Sequence, residues 1–179
     1  MPTYIAFLRA VNVGGRYVKM ASLRDALTQA GFADVQTHIQ SGNVFVRSAR
    51  RTSGPVAVEV SRVLTAHCGF SVPAVVRTPA QLRATLAAVD AIPPMIDGGS
   101  GRYIAFADGP VPPEGAAVLN AWDKPGERLR VLDAEVLGEL AFGFHKTTLT
   151  ITRLERLTGR TTTWRDLSVV RAIDEKWGA

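Results

Sequence analysis

Four residues occur twice in this chain. Tyr4-Ile5-Ala6-Phe7 returns as Tyr103-Ile104-Ala105-Phe106, 99 positions later, and each copy opens a similar run of hydrophobic patterns. A chain that restarts in this way is constrained to build one supersecondary unit twice. In the first half, residues 4–9 read as a buried strand, and Met20, Leu23, Leu27 and Ala30 then recur at helical spacing with Gly31 as the C-terminal stop. Val35–Gln40 and Val44–Ser48 are expected to form a hairpin about Ser41-Gly42-Asn43. A helix opened by Pro55 buries Val56, Val60, Val63 and Leu64, although the alternation of Val56, Val58 and Val60 also suits a strand. The strand Val72–Arg77 follows, and Thr78-Pro79-Ala80-Gln81 signals the cap of a further helix to about Asp90.

The second half reads in the same order. A short helix follows Pro113, a hairpin of Arg128–Leu132 and Val136–Phe142 turns at Asp133-Ala134, and a helix is predicted from Lys146 to Thr158. Thr163-Trp164-Arg165-Asp166-Leu167 is expected to cap a last helix whose apolar face is Leu167, Val170, Ile173 and Trp177. The predicted class is α+β: a tandem duplication of ferredoxin-like βαββαβ subdomains, each with an added helix, packed together. Residues 1–92 form the N-terminal subdomain, the Pro/Gly-rich residues 93–99 the linker, and 100–179 the C-terminal subdomain. Each half is small and buries only a modest core.

Of the 179 residues, 46% are hydrophobic and 21% charged, a globular rather than a disordered balance. No apolar run approaches the roughly 20 residues of a membrane span, so no membrane partner is expected. The first residues lack the basic region and apolar core of a signal peptide. Cys68, the single cysteine, has no internal disulfide partner, and the expected location is the reducing cytoplasm. The net charge of +5 is uneven. Arg9, Arg16, Lys19, Arg24, Arg47, Arg50 and Arg51 face only Asp25 and Asp34 in the first 51 residues, which therefore hold the whole excess. Such a balance attracts anions, from a phosphorylated metabolite to nucleic acid.

Two motifs lie in that basic third. The loop after the first strand turns through Gly14 and Gly15 into a helix N-terminus, where free backbone N–H groups and the helix dipole favour an anion. Arg9 and Lys19 would neutralise the ligand's charge, with Arg16 near them, while Asn12 and the glycine amides orient it. The loop has neither the Walker nor the G-x-G-x-x-G spacing, and its glycines alternatively serve a tight turn. Gln40, Ser41 and Asn43 form the second motif, a hairpin turn whose polar amides join the site if the topology brings it close. Lys146, a cation at a predicted helix start where the dipole disfavours it, is added as a ligand-facing residue.

Other chemistry finds little support. Ser41 is in no nucleophile elbow. His67 and Cys68 are adjacent and point in different directions on a helix. His38, His67 and His145 are scattered without metal-ligand spacing, so no metal site is expected. Glu135/Glu139 and Asp174/Glu175 read as solvated surface. No catalytic residue and no cofactor is assigned. Trp122, Trp164 and Trp177 read as packing anchors on amphipathic helices. Phe45 and Arg47 share one face of the third strand and give a faint version of an RNA-binding sheet.

Arg9-Ala10-Val11-Asn12-Val13-Gly14-Gly15, then Lys19-Met20 and Ile39-Gln40-Ser41-Gly42-Asn43-Val44, resemble the signature of the bacterial family catalogued as domain of unknown function 1697. The resemblance extends over nearly the whole chain, with Lys146 and Trp164 near weaker C-terminal motifs. It implies two α+β subdomains of ferredoxin-like character and no established activity, substrate or cofactor. The chain departs from the pattern at Ala10, where glycine is common, at His38, where tyrosine is common, and at Thr162-Thr163, where Arg-Asn is expected. The favoured reading is a binder of a small anionic or polar ligand at the Gly-rich loop. The alternatives are a nucleic-acid binder using the basic first third, or a structural or protein-interaction module.

Overall fold

The computed structural model describes residues 1–98 and 101–178. These residues form a mixed α/β structure with two antiparallel sheets and six α-helices among them, and the chain divides into two units. One comprises Met1–Leu82 with the chain end from Lys176; the other is Arg83–Glu175.

The first unit contains β1 (Thr3–Leu8), α1 (Met20–Gln29), β2 (Ala33–His38), β3 (Asn43–Arg47), α2 (Ser53–Cys68) and β4 (Ala74–Arg77), with α3 (Pro79–Asp90) running out of it. Its sheet has the order β2-β3-β1-β4. Tyr4, Ala6 and Leu8 on one face of β1 join Val44, Val46 and Val76 in a core sealed by Leu23 and Leu27 of α1 and Val56, Val60 and Leu64 of α2. Ile5, Phe7 and Val75, on the other face, are also buried. Burial on both faces explains why β1 is an unbroken apolar run rather than an alternating one. The valines of α2 adopt helical spacing, and the helix starts two residues before Pro55, which the first turn tolerates because its N–H groups lack intrahelical partners. Trp177 lies 5.5 Å from the Phe45 ring, and its indole N–H donates to Gln36 Oε1 at 3.1 Å. It anchors the chain end as expected.

The second unit contains β5 (Gly101–Ala107), α4 (Pro113–Asn120), β6 (Asp123–Lys124), β7 (Glu127–Val131), β8 (Glu135–Leu140), α5 (Ile151–Thr158), β9 (Thr162–Asp166) and α6 (Leu167–Trp177), the last turn of α6 falling in the first unit. The sheet order is β6-β7-β8-β5-β9. Apart from the two-residue β6, this repeats in chain order the arrangement of the first sheet. The close crossing of α4 and α5 depends on Gly115, where a Cβ would overlap the Leu157 carbonyl oxygen.

The helix predicted from Lys146 does not begin there. Phe144–Lys146 is a single 3₁₀ turn, and α5 starts at Ile151. Buried Glu127 accepts hydrogen bonds from the Thr148 N–H (2.6 Å) and hydroxyl (2.8 Å) and from the Trp122 indole (2.9 Å), which holds the intervening chain extended. Thr150 then caps α5 by accepting from Arg153 N–H. Thr163-Trp164-Arg165 is strand rather than cap, so Trp164 stands on β9, and Asp166 alone receives the Ser168 N–H at the helix entry.

Glu135 and Glu139 are buried rather than solvated, at 7% and 0% exposure. Arg102 and Glu139 are partners across β5 and β8, and their side chains pair at 2.9 Å. Glu139 also accepts from the N–H groups of Met95 and Ile96, while Arg102 donates to the carbonyls of Ile92 and Pro93. Residues 92–96 are therefore tied into the second unit. The two units divide at Leu82/Arg83, inside α3. Gly99, Ser100 and Ala179, which belong to the expected linker and C-terminal subdomain, lie outside the described residues. No described helix is long and apolar enough to cross a membrane.

Candidate functional site

At the end of β1 the two sequence motifs meet. Leu8 N–H donates to the Gly42 carbonyl at 2.7 Å, and Arg9 N–H to that of Pro73 at 2.8 Å. Asn12 joins the loop to the turn: its Nδ2 donates to the Gln40 carbonyl at 2.6 Å and its Oδ1 accepts from Val18 N–H at 2.7 Å. One amide thus fixes the hairpin turn beside the chain entering α1. Between these anchors, Arg16 N–H donates to the Val13 carbonyl, with Gly14 and Gly15 at φ of +58° and +81°. Positive φ at both central positions is the geometry of a type I′ turn, which accounts for the pair of glycines. Ala10, Asn12 and Ile39 also have positive φ, and for branched Ile39 this is costly.

Gly42 is required for two reasons. Its φ is +78°, and a Cβ there would lie 2.9 Å from Leu8 Cβ. Asn43 is fully buried, and its Nδ2 donates to the His38 carbonyl and to Ser41 Oγ. It supports the turn from below rather than facing outward.

The loop delivers the chain to α1 with Lys19 at the N-cap, where it makes no side-chain cap, and no acidic residue lies in the first turn. Ser, Thr, Asp or Asn normally occupies this position, and a cation is unfavourable there. The N–H groups of Met20, Ala21 and Ser22 begin the helix beneath it, and Leu23 N–H is the first to bond back, to the Lys19 carbonyl. The Arg16 guanidinium lies 5.2 Å from the centre of the Phe70 ring. Ser22 Oγ and His67 Nε2 are 2.6 Å apart. Val13, Tyr17 and Ile39 are exposed apolar residues on the same loop and turn.

Gly14, Gly15, Lys19, Gln40 and Ser41 are therefore exposed, and Arg9 and Asn12 half-buried, in one hydrogen-bonded neighbourhood. Lys146 belongs to the other unit. Ser22, His67 and Phe70 were not legible in the sequence, because 45 residues separate Ser22 from His67 and no motif links them. Burial pushes the Cys68 thiol up, away from a reactive thiolate. Burial, and then the charge of Lys176, push the His38 imidazole down. Among the described residues no cluster of three potential metal ligands occurs. Phe45 is 6% exposed and has Trp177 against its ring, so it offers no open stacking face.

The model of the family described as "Protein of unknown function (DUF1697)" matches residues 1–137. Among solved structures, a conserved bacterial protein from Streptococcus pneumoniae is similar over 100% of this chain and 99% of its own, at 21% identity and a TM-score of 0.74. At that identity the likeness concerns the fold. No curated protein sequence matches the chain.

Proposed function

This chain belongs to the DUF1697 family of proteins of unknown function, and from that premise we propose that it binds a small anionic ligand at the N-terminus of α1. The observation that carries this reading is Lys19 at an N-cap without a side-chain cap or a nearby acid. An anion held by the Met20, Ala21 and Ser22 N–H groups would complete the helix end and turn the misplaced cation into a partner. Arg9 and Arg16 add positive charge, Asn12 sets the loop, and Gln40 and Ser41 form the facing rim; Gly14 and Gly15 leave the loop backbone open. Lys146 remains a separate ligand-facing candidate in the second unit.

The two units are taken here as ferredoxin-like copies of one ancestral βαββαβ unit. The equivalent orders β2-β3-β1-β4 and β7-β8-β5-β9 support this. With a single cysteine, the reducing cytoplasm is the compartment we assign.

The test is a thermal-shift series with inorganic phosphate, pyrophosphate, sugar phosphates, carboxylates and short oligonucleotides. A ligand of the native state raises Tm by mass action. A saturable shift by one small anion, lost in Lys19→Ala, is the expected result. Shifts confined to oligonucleotides, steeply weakened by salt, would replace the small ligand with nucleic acid. No shift from any of these compounds would overturn the reading and favour an interaction module.

A further inference from the structure

The repeated tyrosine is treated differently in the two units. Tyr4 is 1% exposed, shares the core with α2 and donates its hydroxyl to the Arg50 carbonyl at 2.6 Å. The helix in the corresponding chain position of the second unit, α5, has 8 residues against the 16 of α2. Its missing first half is replaced by the 3₁₀ turn and the extended threonine segment. Tyr103 is consequently left half-buried, in a cavity of about 190 Å³ lined also by Phe144, Trp164, Arg165 and Asp166.

The walls are aromatic. Phe144 lies 5.1 Å from Tyr103 and 5.6 Å from Trp164, with interplanar angles of 46° and 63°, so the three rings form a bent wall rather than a stack. Trp164 lies close on the sheet because residue 138 is glycine, where a Cβ would stand 3.1 Å from the indole. Asp166 pairs with Tyr103 across β5 and β9 and shares a strand face with Trp164. Its Oδ1 accepts from Ser168 N–H and Oγ–H, which leaves Oδ2 without a hydrogen bond among the described residues. Arg165 alternates to the opposite face of β9, where its guanidinium donates to Thr163 Oγ1.

We propose that this pocket binds a methylated ammonium head group. The faces of Tyr, Trp and Phe carry negative quadrupole density that attracts cations, and quaternary ammonium is the ion that such sites take with least desolvation cost. The free Asp166 oxygen supplies the opposite full charge at the same rings. An anion would meet repulsion from both, and a neutral apolar group would leave the carboxylate unused.

The experiment titrates the full chain with choline and with its uncharged carbon isostere, 3,3-dimethylbutan-1-ol, following the Trp164 indole N–H by NMR. Choline is expected to shift that resonance saturably and to bind at least about tenfold tighter than the isostere. Asp166→Asn and Phe144→Leu, with unchanged circular dichroism, should each weaken choline binding about tenfold. Asp166→Asn keeps the oxygen that receives Ser168, so its effect reads the charge. Equal affinity for the isostere, or undiminished binding in Asp166→Asn, would overturn the proposal. So would the absence of a saturable shift up to about 10 mM choline.

Discussion

Replacing Glu139 by glutamine tests the account of how the Pro/Gly-rich stretch is held. Glu139 is fully buried; one oxygen accepts from the N–H groups of Met95 (3.0 Å) and Ile96 (2.9 Å), and the other from Arg102 Nε at 2.9 Å. Removing one partner of a buried pair costs about 3–5 kcal/mol because the remaining charge is uncompensated. Two features lower that figure. The Arg102 side chain retains 19% exposure, so water takes up part of its charge, and glutamine still offers one oxygen to the two amides. Its NH₂ group, however, meets a guanidinium that can only donate. The expected loss is about 2–3 kcal/mol. Urea denaturation of wild type and Glu139→Gln measures it, and hydrogen exchange at Met95 and Ile96 locates it. The double variant with Arg102→Met should lose less than the sum of the two singles, by at least about 1 kcal/mol. A single-variant loss below about 0.5 kcal/mol, with protection at Met95 and Ile96 unchanged, would refute the reasoning.

Gly42→Ala should cost about 1–3 kcal/mol, since φ is +78° and the added Cβ meets Leu8; the urea midpoint and the exchange rate of the Leu8 amide report it. Gly115→Ala should destabilise by about 2–3 kcal/mol, because the obstacle is the Leu157 carbonyl rather than a yielding side chain, and a Tm close to wild type would exclude so tight an α4–α5 crossing. Burial alone raises the Glu127 carboxyl. The hydrogen bonds from Thr148 N–H, the Trp122 indole and the threonine hydroxyls outweigh it and hold the pKa below the ordinary carboxylate value of 4.5. A depressed folded-state pKa gives stability that is present above the unfolded value and lost as pH falls through the folded one. Glu127→Gln should accordingly be less stable at neutral pH, with the deficit shrinking below about pH 4; a deficit independent of pH would contradict this.

Much of the fold was legible because periodicity reports directly on local burial. The alternation and capping signals placed the strands and helices of the first unit, and the Tyr-Ile-Ala-Phe echo marked the inner strands β1 and β5. The errors arose where long-range partners decide the local state. Glu139 reads as surface until Arg102 is found opposite it across the sheet, 37 residues away. Lys146 reads as a helix start because the pull of Glu127 on Thr148, 21 residues distant, leaves no periodic trace. At the candidate site the two motifs were legible, but their meeting through Asn12 and Gln40 was not. The outward-facing groups also separate from the structural ones only in three dimensions: Asn43 and the two glycines are explained by the turns they build, while Lys19 is not explained by the helix it precedes.

The most direct measurement is an NMR titration of the ¹⁵N-labelled chain with inorganic phosphate, followed at the amides of Met20, Ala21 and Ser22. Wild type is expected to show saturable shifts at these three N–H groups, abolished in Lys19→Ala while the remaining spectrum is retained. Phosphate shifts scattered over the basic residues without saturation, or equal responses in both proteins, would contradict an anion site at the start of α1.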